Sequence, residues 1–155
     1  MISPELLRRY PFFSFLDDSQ RKAIAMIAEE VSCEDGATIF EEGEPATALY
    51  LLLEGSVDLS FTPHADSGGP LREKILVGEI NPGEPFSLSA LIEPHLLTAT
   101  AHASRACRLL KIDGSALRAL CEVDNRMGYA LMRQMAKALL ERLHFTRLQL
   151  AAVRA

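Results

Sequence analysis

The sequence predicts a mainly β domain, an antiparallel roll, sandwich or barrel with helices at both ends. Three observations carry this. Short apolar runs broken by turn residues fill positions 30 to 113, the signature of many closely spaced strands. On either side of that stretch, apolar residues recur at helical spacing. A chain of 155 residues, 48% hydrophobic and 24% charged, suits one soluble domain with a core of sufficient size.

Ser3-Pro4-Glu5 reads as a helix start, with a capping hydroxyl, proline at the first helical position and an acid in the first turn. Pro11 keeps that helix short. A second helix is expected from Asp17, where Gln20 completes a capping-box spacing. Its apolar positions are Ala23, Ile24, Ile27 and Ala28.

Strands are expected near 30–33, 37–41, 47–54, 56–63, 71–80, 98–103 and 106–113. The turns between them are Asp35-Gly36, Glu42-Gly43-Glu44-Pro45, Glu54-Gly55, Ser67-Gly68-Gly69-Pro70 and Asn81-Pro82-Gly83, where glycine supplies positive φ and proline presets φ. Glu54-Gly55 is short enough to read as a hairpin. Residues 62–70 form the candidate flexible segment, and 87–93 a helical turn or two.

From 114 helix returns, with Ala116, Leu117, Leu120 and Cys121 on one face. A last helix is expected from Asp124-Asn125 almost to Arg154. Met132, Ala136, Leu139, Leu143, Thr146, Leu150 and Val153 alternate spacings of four and three, the repeat of a coiled-coil seam. Met127, Leu131, Met135 and Ala138 make a second apolar face, so one face is expected on the β core and the seam against a second copy.

Net charge is −5, which argues against general affinity for nucleic acid or anionic membrane. Residues 126–155 nevertheless hold 6 basic and 1 acidic group, read as a solvated face that also suits a helix C-terminus. Cys33, Cys107 and Cys121 form no CxxC, and His64, His95, His102 and His144 have no metal-ligand spacing. Free thiols in a reducing compartment are expected, and no metal site. The start has no apolar core of leader length, and no run reaches membrane-spanning length. A cytoplasmic protein with no membrane association is expected.

The sequence contains no GxSxG, P-loop, GxGxxG or HExxH pattern. Paired acids at Glu29-Glu30, Asp17-Asp18 and Glu41-Glu42 sit on strands or helix starts, where neighbours diverge or act as caps. Cys107 lies in an apolar strand and reads as an inert buried thiol. No catalytic residue is assigned.

The informative stretch is GEPFSLSALIEPHLLTATA, residues 83–101. A turn glycine, an aromatic and a short helix with small residues at its start can cradle an anion on backbone amides. Ser87, Ser89 and Ala90 leave room for approach.

FSLSALI (86–92) and LLTATA (96–101) resemble the phosphate-binding cassette of the cyclic-nucleotide-binding domain family. The stretches 40–59 and 107–122, and FFSFLDDSQRKAIA near the start, resemble the same family in the same order. The resemblance implies a double-stranded β-helix (jelly roll), with 1–29 as N-terminal helices, 30–113 as the roll with its cassette at 83–101, and 114–155 as C-terminal helices, all one domain. It implies a sensor like those of bacterial Crp/Fnr-type regulators, expected here without a DNA-binding domain and without direct DNA binding. The implied ligand-binding residues are Gly83, Phe86, Ser87, Leu88, Ser89, Ala90, Leu97 and Thr98, and the implied ligand is cAMP or cGMP. The long helix is implied to act as lid or dimer arm, the seam being Met132, Ala136, Leu139, Leu143 and Leu150.

The departures are chemical. Leu88 and Leu97 stand where the family has the glutamate that accepts from the ribose and the arginine that pairs with the phosphate; Ser87 replaces a glycine. An unpaired buried phosphate costs about 3–5 kcal/mol and an unpaired hydroxyl about 1–3 kcal/mol. At about 1.4 kcal/mol per decade, affinity falls roughly a thousandfold or more. Ser87, Ser89, Thr98, His95, Arg72, Lys74 and Arg105 are the groups considered as compensation. The readings are therefore a regulatory domain for a small anionic or partly apolar ligand, or a degenerate module that dimerises or docks an effector protein. A metal enzyme on a related roll lacks the clustered histidines it needs.

Overall fold

The computed structural model describes residues 1–63 and 73–155. The Ser67–Pro70 turn, His64, Arg72 and the start of the strand expected at 71–80 lie outside the described residues.

Helix α1 spans Pro4–Arg8 and α2 spans Asp18–Met26, with a 3-10 turn at Pro11–Phe13 between them. The capping box of α2 is present: Gln20 N donates to Asp17 Oδ1 at 2.8 Å and Asp17 N to Gln20 Oε1 at 2.9 Å. Ser3 precedes α1 without its hydroxyl capping it. The helix expected through Ala28 ends earlier. Ile27 closes α2, and Ala28 already pairs with Ile112, because burying that residue in the sheet outweighs one more helical turn.

Eight strands follow among the described residues: β1 Ala28–Cys33, β2 Thr38–Phe40, β3 Ala48–Glu54, β4 Val57–Phe61, β5 Ile75–Ile80, β6 Pro85–Phe86, β7 Thr100–Ala103 and β8 Cys107–Asp113. They form two antiparallel four-stranded sheets, ordered β1-β8-β3-β6 and β2-β7-β4-β5. Of these, β6 was not expected; two residues carry no periodicity.

The hairpin expected at Glu54-Gly55 is corrected by this topology. β3 and β4 belong to different sheets, so the chain passes from one layer to the other at this point. The return passage runs beside it: β7 leads into β8, and Ser104 N donates to Ser56 O at 2.9 Å. Two antiparallel chains thus wind together between the layers, the geometry of a jelly roll. Gly55, at φ +103°, allows this closeness; a Cβ there would lie 2.5 Å from the Ala106 carbonyl oxygen.

Two cores result. Leu52, Val57, Ile80, Phe86 and Leu109 fill the roll. Leu51, Leu110, Ile112 and Leu117 join α1, α2 and the helices after β8 in the other. Those are α3, Gly114–Val123, and α4, Asn125–Arg154. One residue, Asp124, separates them and caps α4 by accepting from Met127 N at 3.0 Å. Met127, Leu131, Met135 and Ala138 are buried, as the second apolar stripe predicts.

Candidate functional site

Gly83, at φ +90°, turns the chain after β5, and its amide donates to Leu52 O at 2.7 Å. β6 then lies beside β3 and sets Phe86 on Tyr50, ring centroids 5.2 Å apart, with Phe40 6.0 Å from Phe86. Ser87 adopts the left-handed conformation (φ 61°, ψ 45°) that a glycine would take more easily. The expected cassette helix is one 3-10 turn, Leu88–Ala90. This matches the helical turn or two expected at 87–93, at the short end of that range, and such a turn adds little helix dipole.

The loop is fastened on both sides. Leu97 N donates to Glu44 O and Gly43 N to Leu97 O, each at 2.8 Å, and Ala46 N donates to His95 O at 2.7 Å. Arg118 of α3 donates Nη1 to Ala90 O at 2.6 Å. His95, at φ 58°, holds Nδ1 3.0 Å from Ser89 O, a contact that needs the proton on Nδ1. One nitrogen of its ring is therefore taken up by the loop.

Under α4 this loop closes a cavity of about 290 Å³. Ser87, Leu88 and Ser89 form one wall and Leu97, Thr98 and Ala99 another; Phe40, Leu59, Phe61 and Val77 face them from the β2-β7-β4-β5 sheet. Leu139, Arg142 and Thr146, on one face of α4, form the roof. Leu88 and Leu97 are 7% and 6% exposed, so they line the cavity while packing into cores, Leu97 against Ala46, Ala90 and Phe40. A second cavity of about 310 Å³ shares Phe40, Ser87 and Leu97 and extends to Glu44, Thr47 and Tyr50.

Five of the residues expected at a ligand site, Ser87, Leu88, Ser89, Leu97 and Thr98, line this space. Gly83 turns the chain outside it, Phe86 is wholly buried in the roll, and Ala90 packs behind Leu97. Lys74 approaches His102 Nε2 at 3.1 Å. Of the proposed seam, Leu139 roofs the cavity at 51% exposure, Met132 is half-buried against the core, and Ala136, Leu143 and Leu150 are exposed.

The residue that sequence reasoning missed is Arg142. It is the charged side chain among the cavity's lining residues, and among the described residues no carboxylate lies within ion-pairing distance of its guanidinium. Burial pulls its pKa down to about 10, with Glu84 and Glu141 pulling the other way, and it stays charged at neutral pH.

Other titratable groups have structural partners. Arg108 bridges Glu30 at 2.8 Å and Glu54 at 2.9 Å; Asp18 pairs with Arg8 and Arg21; Glu42 Oε1 accepts from Thr62 N at 2.8 Å. Cys107 is buried with Sγ donating to Ser56 O and Arg105 O. No group of three or more histidine, cysteine or carboxylate side chains is placed to hold a metal among the described residues. No described helix is long and apolar enough to cross a membrane.

The family model described as Cyclic nucleotide-binding domain matches residues 30–124. A crystal structure of a Geobacter metallireducens protein assigned to cyclic nucleotide binding is similar with a TM-score of 0.79 and 42% identity, covering 93% of this chain and all (100%) of that one. A Rhodopseudomonas palustris protein assigned as a potassium channel is 32% identical over 77% of this chain and 27% of its own length. The CRP-like cAMP-activated global transcriptional regulator of Mycobacterium tuberculosis is 27% identical over 87% of this chain and 58% of its own length. The chain thus spans between 27% and 58% of these curated relatives.

Proposed function

The chain belongs to the cyclic nucleotide-binding domain family, and we propose that residues 1–155 act as one ligand-sensing regulatory domain and not as a catalyst. The observation that carries this reading is the cavity of about 290 Å³ between the 87–89 and 97–99 segments and α4. A small molecule there would touch the loop and the long helix together, so its occupancy would bias the position of α4. Family membership supports the regulatory part, since the similar M. tuberculosis protein is by name a cAMP-activated transcriptional regulator.

The ligand-facing residues in this reading are Ser87, Leu88, Ser89, Leu97 and Thr98, with Leu139, Arg142 and Thr146 closing the space. Leucines at 88 and 97 remove the ribose acceptor and the cassette cation, so cAMP and cGMP bind weakly and a less polar ligand is favoured. We place the protein in the cytoplasm, working as a homodimer through α4 and passing its signal to an effector protein.

Melting of the purified protein with cAMP, cGMP, cyclic dinucleotides and small apolar acids tests this. A ligand at 100 times its dissociation constant adds about 2.7 kcal/mol of stability, and a rise with any of them supports sensing. No rise across the panel leaves the second reading, a module that dimerises or docks without a ligand. The apolar residues Leu143, Leu148, Leu150 and Val153, 45% to 83% exposed on α4, favour that alternative.

A further inference from the structure

We propose that Arg142 is the anion-binding residue of the cavity, and that the ligand is a small molecule with one carboxylate or phosphate group on an apolar body. This rests on the ligand-sensing reading and names the chemical class of its ligand. The argument is one of complementarity. The cavity wall is apolar at Phe40, Leu59, Phe61, Val77 and Leu97, and among the described residues Arg142 of α4 is the one charged residue that lines it.

A guanidinium offers five donors in a planar fork and no acceptor. Its best partner is an oxyanion taken bidentately. Among the described residues its head finds no carboxylate at ion-pairing distance; Glu84 and Glu141 act on it only from farther away, and the roof residues Leu139 and Thr146 carry no charge. Burial opposing the charge is consistent with a cation held in a desolvated position. Ser87, Ser89, Thr98 and Thr146 add hydroxyls around the space. Among the described residues no carboxylate lines it to accept from a sugar hydroxyl, so a polyhydroxylated ligand gains less than a hydrocarbon or aromatic one.

The test compares octanoate, octyl phosphate and 1-octanol by melting and calorimetry on the full chain. Wild type is set against Arg142→Met and Arg142→Lys. Octanoate or octyl phosphate stabilises the wild type, octanol does so at least tenfold less well, and Arg142→Met weakens the oxyanion about tenfold or more. Arg142→Lys falls between, because it keeps the charge and loses the fork. The arm that responds tells carboxylate from phosphate. The Arg142 Nε–Hε resonance, assigned by its loss in Arg142→Met, also moves on titration; this readout needs no stability change. Equal binding to wild type and Arg142→Met, or equal binding of octanol and octanoate, overturns the role of Arg142 and leaves ligand sensing standing. No response to any of the three overturns this inference, and the wider panel then decides the sensing reading separately.

Discussion

Gln20 donates its side-chain amide to the Asp124 carboxylate across 2.8 Å, fastening α2 to the single residue between α3 and α4. Asp124 spends its other oxygen on Met127 N. The Gln20 hydrogen bond first, and the Met127 amide second, hold its carboxyl below the usual carboxylate range.

The sign of the pH effect follows. A carboxyl more acidic when folded than when unfolded stabilises the fold above about pH 4 and loses that contribution as pH falls through its folded value. Asp18, beside Arg21, and Glu54, beside Arg108, shift the same way. Urea midpoints are expected to drop between pH 6 and pH 3. Gln20→Ala lowers the pH 6 midpoint and flattens the drop; a variant with an unchanged pH profile would show that this bond has no such role.

Gly55 is the second point of test. At φ +103° and with the Ala106 carbonyl 2.5 Å from any added Cβ, Gly55→Ala combines backbone strain with a backbone clash. A loss of about 2 kcal/mol or more is expected. It should appear as a lower denaturation midpoint with the same slope. Gly36, whose added Cβ would meet nothing within 4 Å, isolates the strain alone as Gly36→Ala.

Phe86 and Ser89 separate scaffold from site. Phe86 is wholly buried on Tyr50, so Phe86→Ala is expected to cost about 3–5 kcal/mol. Ser89 lines the cavity, and its carbonyl makes the loop contact to His95. Ser89→Ala is expected to change stability by about 0.5 kcal/mol or less, while altering ligand affinity. Equal stability losses in the two variants would contradict this division.

The exposed stripe of α4 predicts a dimer. Leu143 and Leu150, 45% and 55% exposed, lie outside the cavity lining, so Leu143→Glu with Leu150→Glu leaves the binding space intact. Light scattering at micromolar concentration should give a dimer for wild type and a monomer for the double variant. A monomeric wild type would refute the pairing.

Two helix starts were legible because their signals are local: Asp17 with Gln20, and Asp124 before α4, make their own hydrogen bonds, whereas the Ser3 hydroxyl makes none to α1. Most strands were legible from their apolar runs and the turn residues between them. The partner of β3 was not, since a glycine turn reads alike whether the chain folds back within a sheet or crosses between two. β6 was too short to show a pattern. Arg142 was hidden for another reason. The heptad spacing claimed the neighbouring Leu139 for a partner helix, and only the packing of α4 across the loop shows that this turn faces a cavity.

Arg118 grips the Ala90 carbonyl, so the loop that walls the cavity is tied to α3. The roof belongs to α4, which starts just after Asp124, the single residue between α3 and α4. Wall and roof are therefore held by two consecutive helices that meet at Asp124. A ligand between them would press on the loop and the helix at once, while Gln20 fastens the residue that joins α3 to α4.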